Sequence, residues 1–137
     1  MPLTAGEEQI ELAKLPLARI QDVLLSRMVV REEGARFGFP PHALTQIATA
    51  LSEIARNVVQ HAGAGGQVRI VRISDGVRRG LQITVEDHGI GMADVDAVLA
   101  GASPGAGIPG ARKLMDEFAI RSSPHAGTAV RMIKWLV

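Results

Sequence analysis

Two polar side chains lie one helical turn apart near the middle of this 137-residue chain. Glu53 and Asn57 are four positions apart, so on a helix they project from one face, about 40° apart around the axis. A carboxylate there can accept a proton from a hydroxyl group. The amide oxygen of Asn57 is a hard ligand that suits Mg²⁺ when phosphates supply other ligands. The pair indicates a proton-transfer and metal-binding face, with an ordinary solvated helix face as the alternative.

A second group of candidate residues follows a strand. Asp87 comes just after an apolar alternation over residues 81–85, which predicts burial. A buried carboxylate needs a hydrogen-bond donor, and the amino group of an adenine ring is a suitable one. Gly89 and Gly91 would let the backbone approach a flat ring closely. A plain loop is the alternative, because Asp, His and Gly are common in turns.

The third candidate segment runs from Gly101 to Gly110 and contains four glycines and two prolines in ten residues. Its backbone amides, including those of Gly105 and Gly107, can surround an anion. A helix predicted to begin at Pro109 adds the positive end of its dipole. Phosphate binding is the functional interpretation, and a surface loop is the alternative.

Hydrophobic periodicity predicts the elements that position these residues. The helix over 42–61 is the clearest, with apolar residues recurring at i, i+3, i+4 and i+7. We expect one α+β domain over residues 1–137, a two-layer α/β sandwich with helices on one face of a mixed sheet. The predicted strands are 10–15, 67–74, 81–86, 119–123 and 128–136, and the predicted helices are 17–37, 42–61, 93–99 and 109–118.

Composition narrows the class of protein. Apolar residues make up 47% of the chain, charged residues 21%, and the net charge is +1, an ordinary globular balance that indicates neither a nucleic-acid nor a membrane partner. The absence of cysteine excludes disulfides and thiolate metal sites. We expect a cytoplasmic protein without a signal peptide or membrane span. Four serines lack the context of a nucleophile elbow and are interpreted as ordinary polar residues: Ser52, Ser103, Ser122 and Ser123.

The motifs resemble a known superfamily when they are taken together and in order. Glu-x-x-x-Asn on a helix, Asp-x-Gly-x-Gly after a strand and Gly-x-Gly before a helix resemble the GHKL ATPases, the Bergerat-fold domain of histidine kinases, Hsp90, gyrase and MutL. Further strings look like the anti-sigma-factor serine/threonine kinases, including stressosome switch kinases. These strings are residues 50–57, 107–110, 113–118 and 133–136.

The resemblance implies a role for each matching residue. Glu53 would be the general base that takes the proton from a substrate serine or threonine, and Asn57 would hold Mg²⁺ against the phosphates. The implied cofactors are ATP and Mg²⁺. Asp87 would bind the adenine amino group. The other nucleotide contacts implied are Gly89, Gly91, Gly105, Gly107, Gly110 and Thr128.

The family also implies partners. The substrate would be a STAS-domain protein of a partner-switching cascade, and its phosphorylation would release the kinase to activate a downstream regulator such as a phosphatase, a cyclase or a sigma-factor pathway protein. A homodimer stays open, since related kinases are sometimes dimers. The stretch between Leu99 and Gly105 is shorter than the loop, called the lid, that covers the phosphates in this family. We expect a short lid to lower the turnover rate while nucleotide binding is retained.

Two alternatives to a serine/threonine kinase stay open from the sequence. One is a binding module of the same fold that sequesters a sigma factor or STAS protein, with nucleotide as a structural ligand. Glu53 favours the kinase, because binding alone has less use for a base. The other is a detached histidine-kinase catalytic domain, which the strings near the C-terminus disfavour.

Overall fold

The computed structural model describes residues 8–62, 65–89, 107–123 and 127–136. The predicted helix at 93–99 and the candidate residues Gly91 and Gly105 lie outside these ranges. In chain order the described elements are β1 (Glu8–Leu17), α1 (Ile20–Phe37), α2 (Pro41–Asn57), a π-helical turn (Val58–Ala62), β2 (Gly66–Ser74), β3 (Arg79–Asp87), α3 (Ile108–Leu114), β4 (Glu117–Ser123) and β5 (Gly127–Leu136).

The five strands form one sheet in the order β1-β2-β3-β5-β4, and the helices pack on one of its faces. The α+β class and the two-layer arrangement are therefore confirmed. The strand directions differ from the mixed sheet that we expected, because each of the four described pairings is antiparallel.

The connections explain why the sheet is antiparallel. Two helices, α1 and α2, link β1 to β2, so the chain crosses the domain twice and returns beside β1 in the opposite direction. A single crossover helix would give a parallel pair. β3 and β4 run in the same direction, but β5 lies between them and pairs with both. No parallel neighbours therefore arise among the described strands.

The core lies between the helices and two apolar rows of the sheet. The first row places Val68, Val85 and Val130 side by side, and the second places Ile70, Ile83 and Met132 side by side. All six side chains are buried. The buried face of α2 covers these rows, and its buried residues are Ala43, Ile47, Ala48, Ala50, Leu51, Ser52, Ile54 and Ala55.

Two predicted helix ends are wrong, because α1 begins at Ile20 while Leu17 belongs to β1, and the last helix is shorter than expected. The helix expected over 109–118 ends at Leu114, because the N–H of Asp116 donates to the carbonyl of Ile133 at 2.9 Å and Phe118 pairs with Met132 in the sheet. Pairing with β5 thus overrides the local helical pattern. The helix predicted over 42–61 has the expected extent, because α2 ends at Asn57 and continues directly as the π-helical turn to Ala62. Among the described residues, no helix is both long enough and apolar enough to cross a membrane.

Candidate functional site

The exposed side of α2 presents the predicted base next to the start of α3. One oxygen of Glu53, Oε1, accepts a hydrogen bond from Nη1 of Arg56 at 3.2 Å, one helical turn away. The other oxygen, Oε2, lies against Gly107, where an added Cβ would overlap it. The Glu53 side chain is 37% exposed, so its carboxylate is restrained on both sides and still open to solvent.

Asn57 is the last residue of α2, where the helix changes to the π-helical turn. π-helical turns often occur at functional sites. The side-chain nitrogen Nδ2 of Asn57 is buried and has no hydrogen-bond partner among the described residues. Buried polar atoms in proteins are nearly always paired, so this amide nitrogen is suited to bind a group that the described residues do not supply.

Asp87 ends β3 and is held by backbone donors. Its Oδ1 accepts hydrogen bonds from the N–H of Gly89 at 2.9 Å and of Thr128 at 3.2 Å. Neither of these bonds uses Oδ2, which has no hydrogen bond to a described residue. The carboxylate is thereby oriented with one oxygen available to a ligand.

A cleft of about 350 Å³ opens beside Asp87 at this end of the sheet. Gly127 has φ +80°, and a Cβ there would overlap the carbonyl oxygen of Asp87. Only glycine therefore lets β5 approach β3 this closely. The cleft is lined by Glu86, Asp87, His88, Arg121, Ser122, Gly127, Thr128 and Ala129.

The two groups of residues lie at the same end of the molecule. Only residues 58–65 connect Asn57 to Gly66, and Gly66 pairs with Asp87 in the β2–β3 register. The N–H of His88 also donates to the carbonyl of Gly65 at 3.2 Å. The C-terminal ends of α2 and β3 therefore border one region.

The fold thus brings most of the described candidate residues to one end. Glu53 and Gly107 are in contact, and Asp87 contacts Gly89 and Thr128 through hydrogen bonds. Gly110 takes no part in these contacts, because a Cβ there would meet no described atom within 4 Å. Close backbone approach to a described neighbour therefore does not explain a glycine at position 110.

Sequence reasoning missed two neighbours of these residues. Arg56 forms a salt bridge with Glu53. Their i, i+3 spacing on the predicted helix could have predicted this contact. Ser122 was interpreted as an ordinary polar residue, but its hydroxyl lies 2.8 Å from that of Thr128. Alternation offered the signal, because Phe118, Ile120 and Ser122 face the same side of β4.

Comparison with known proteins identifies the fold family. Residues 17–134 match the family model of the histidine kinase-like ATPase domain. The chain belongs to this family. Among curated relatives, it is 38% identical over 120 residues to the serine/threonine-protein kinase RsbT of Bacillus subtilis, covering 84% of this chain and 90% of RsbT. It is 37% identical over 103 residues to the anti-sigma F factor of Pasteuria penetrans, covering 68% of this chain and 69% of that factor.

Solved structures agree on the fold. The SiaB–SiaC complex of Pseudomonas aeruginosa matches 92% of this chain and 91% of the solved chain, with a TM-score of 0.58 and 12% identity. The histidine kinase domain of a blue-light activated kinase from Erythrobacter litoralis matches 87% of this chain, with a TM-score of 0.55 and 24% identity. This chain spans 60% of that kinase structure. The family match and the curated relatives confirm the resemblance to GHKL ATPases and to anti-sigma-factor-type kinases.

Proposed function

We propose that this chain is an ATP- and Mg²⁺-dependent serine/threonine protein kinase that phosphorylates a STAS-domain antagonist in a partner-switching cascade. The observation that supports it most is the pairing on α2 of a restrained, accessible Glu53 carboxylate with an Asn57 side chain whose buried nitrogen has no hydrogen-bond partner among the described residues. The similarity to RsbT and to anti-sigma F factors supports the kinase class and the partner-switching role.

The family cofactors fit the residues that are present. Rotation of the Asn57 amide by 180° exchanges its oxygen and nitrogen, so its buried end offers either a metal ligand or a donor to phosphate. Among the described residues, no group of three or more His, Asp or Glu side chains could hold a metal ion. Mg²⁺ at Asn57 would take its remaining ligands from phosphates and water.

In the proposed reaction each residue has one task. Bound Mg·ATP supplies the phosphoryl group and neutralises its charge. Glu53 accepts the proton of the substrate hydroxyl while that oxygen bonds to the γ-phosphorus and the bond to ADP breaks. Asp87 binds the adenine amino group through Oδ2. Gly89 and Gly91 shape the pocket beside Asp87, and the backbone from Gly105 to Gly110 covers the phosphates.

The deciding experiment is phosphate transfer from γ-labelled ATP to each STAS-domain protein of the source genome, purified as a panel. The wild type should label a serine or threonine of one of them. Glu53→Gln should lower the transfer rate by about 10²–10⁴-fold, the usual contribution of a general base, and retain Mg·ATP binding in calorimetry. Asn57→Ala should lose both. Transfer by Glu53→Gln at the wild-type rate would show that another residue is the base.

The second candidate function is a nucleotide-binding module with little or no kinase activity that sequesters a sigma factor or a STAS protein. The anti-sigma F factors among its relatives favour it. In the same assay this module would bind Mg·ATP and a partner protein but leave every STAS-domain protein unlabelled. We also propose a cytoplasmic location and a downstream regulator that is a phosphatase, a cyclase or a sigma-factor pathway protein. A homodimer is a further proposal, which sedimentation equilibrium tests.

A further inference from the structure

The polar face of α2 carries a charged side chain to which the proposed reaction gives no task. Arg56 donates a hydrogen bond from Nη1 to Oε1 of Glu53 at 3.2 Å. Among the described residues, Glu53 has no other ion-pair partner, and neither has Arg56. The side chains of Arg56 and Glu53 are 41% and 37% exposed. The guanidinium group therefore contacts the candidate base at the surface of the site and not in the core.

The backbone that carries this pair is held by the core. Ile54 and Ala55, the two residues between Glu53 and Arg56, are 2% and 0% exposed, so they fix the rotation of α2 about its axis. A rigid helix places the first atoms of a side chain precisely. The remaining freedom lies in the rotatable bonds of the Glu53 side chain. A contact at the carboxylate itself therefore decides where the proton acceptor lies.

Arg56 and Asn57 lie on opposite sides of Glu53 around the helix. With 3.6 residues per turn, Arg56 is rotated from Glu53 by about 60° in one direction and Asn57 by about 40° in the other. The bond to Arg56 therefore draws Oε1 away from the side on which Asn57 lies. Oε2 lies against Gly107. Both oxygens of the carboxylate are thus held by contacts that do not involve Asn57.

We propose that Arg56 is a positioning residue for the general base, which holds the Glu53 carboxylate apart from the metal-binding amide of Asn57. The inference rests on the proposed function, in which Asn57 binds Mg²⁺ and Glu53 accepts a proton. A carboxylate within reach of Mg²⁺ is a preferred ligand for it, and an oxygen that coordinates a metal ion is not free to accept a proton. Arg56 is always charged and has no acceptor atom, so it competes with the metal for Glu53 without binding the metal itself.

Two other roles of Arg56 would have different effects. A purely structural ion pair would act on stability alone, and exposed pairs at this spacing contribute little to stability. A direct contact between Arg56 and the phosphates would act on nucleotide affinity, because charge-assisted hydrogen bonds from Arg to phosphate are strong. A positioning residue instead acts on the rate of transfer, and only through Glu53. The three roles are therefore separated by the unfolding midpoint, the affinity for Mg·ATP and the rate.

The first test is Arg56→Met, which removes the charge and retains a long, flexible side chain. The kcat for transfer to the STAS-domain protein that the wild type labels should fall by about 10–10²-fold, as it does for a misplaced catalytic group. Mg·ATP binding in calorimetry should be no weaker than in the wild type, and the urea midpoint should be unchanged. Arg56→Lys retains the charge and N–H donors and should restore most of the rate.

Arg36→Met is the matched control. Arg36 bonds to Glu33 on α1 with the same i, i+3 spacing and the same N–O distance of 3.2 Å, and its loss should leave the transfer rate unchanged. An unchanged kcat in Arg56→Met would overturn the proposal. Weaker Mg·ATP binding in that variant would also overturn it, because Arg56 would then be a phosphate contact.

The double variant shows whether Arg56 acts through Glu53. Adding Arg56→Met to Glu53→Gln should lower the transfer rate no further, because the group that Arg56 positions has already lost its function as a base. A further loss as large as that in Arg56→Met alone would contradict the proposal. If the wild type labelled no STAS-domain protein, the proposed function and the role of Arg56 would both fail. Transfer by the wild type that Arg56→Met does not slow would refute only the role of Arg56.

Discussion

At the scale of single residues, the candidate base is restrained from two sides. Arg56 holds Oε1 of Glu53 at 3.2 Å, and Gly107 leaves room for Oε2. Gly107 has φ −80°, a conformation that any residue can adopt. Glycine at position 107 therefore leaves room for the Glu53 carboxylate, which a Cβ there would displace, and the backbone conformation itself does not call for glycine.

Gly107→Ala should displace the Glu53 carboxylate and slow phosphate transfer, since a misplaced catalytic group can cost about 10²-fold in rate. The measurement is the transfer rate at saturating Mg·ATP in the assay described above. Val77→Ala is the control, because Val77 is 92% exposed and lies outside the candidate site. The control should retain the transfer rate. Equal transfer rates in the two variants would contradict this role of Gly107.

At the scale of elements, the turn between β2 and β3 is closed by one carboxylate. Oδ1 of Asp75 accepts hydrogen bonds from the backbone N–H of Arg78 at 2.6 Å and of Val77 at 3.0 Å, and Oδ2 accepts from Nε of Arg78 at 3.0 Å. The backbone bonds, that of Arg78 first, lower the pKa of Asp75 to about 2. The charged form of Asp75 therefore stabilises the hairpin.

This lowered pKa predicts a pH dependence of stability. Because the folded value lies below the ordinary value of 3.8, the contribution of Asp75 is complete above about pH 4 and is lost as the pH falls towards 2. Asp75→Asn should lower the urea midpoint at pH 7, and its difference from the wild type should shrink below pH 4. The midpoints are measured across pH 2–7. A difference that stayed constant over that range would exclude the charge of Asp75 as its cause.

At the scale of the whole molecule, large apolar side chains fall into two populations. Ile83 is fully buried between the sheet and α2. In contrast, α1 exposes four large apolar residues, and Leu24 and Met28 are 58% and 61% exposed. The exposed residues are Ile20, Leu24, Leu25 and Met28.

The two populations should respond differently to the same substitution. Ile83→Ala should lower the free energy of unfolding by about 2–5 kcal/mol, because a cavity forms in the core. Leu24→Ala removes a side chain that is mostly in water already, and the change should stay within about 0.5 kcal/mol. Urea unfolding of both variants measures the contrast. A loss of several kcal/mol for Leu24→Ala would mean that this surface of α1 is covered in solution.

The fold class and most element positions could be predicted because they depend on periodicity. The alternation of Leu81, Ile83 and Val85 predicts a half-buried strand, and β3 has that pattern. The end of the last predicted helix could not be predicted, because Asp116 and Phe118 follow their partners in β5. The direction of neighbouring strands depends on which strand inserts between two others, and local sequence does not encode that choice.

The sequence alone determined which candidate side chains share one face of α2. Spacing on one helix places Glu53 and Asn57 together, since the geometry of the helix is independent of its surroundings. The tertiary structure decided the rest. Asp87, Thr128 and Ser122 are up to 41 residues apart in the chain, and only the register of three strands places their side chains in one row.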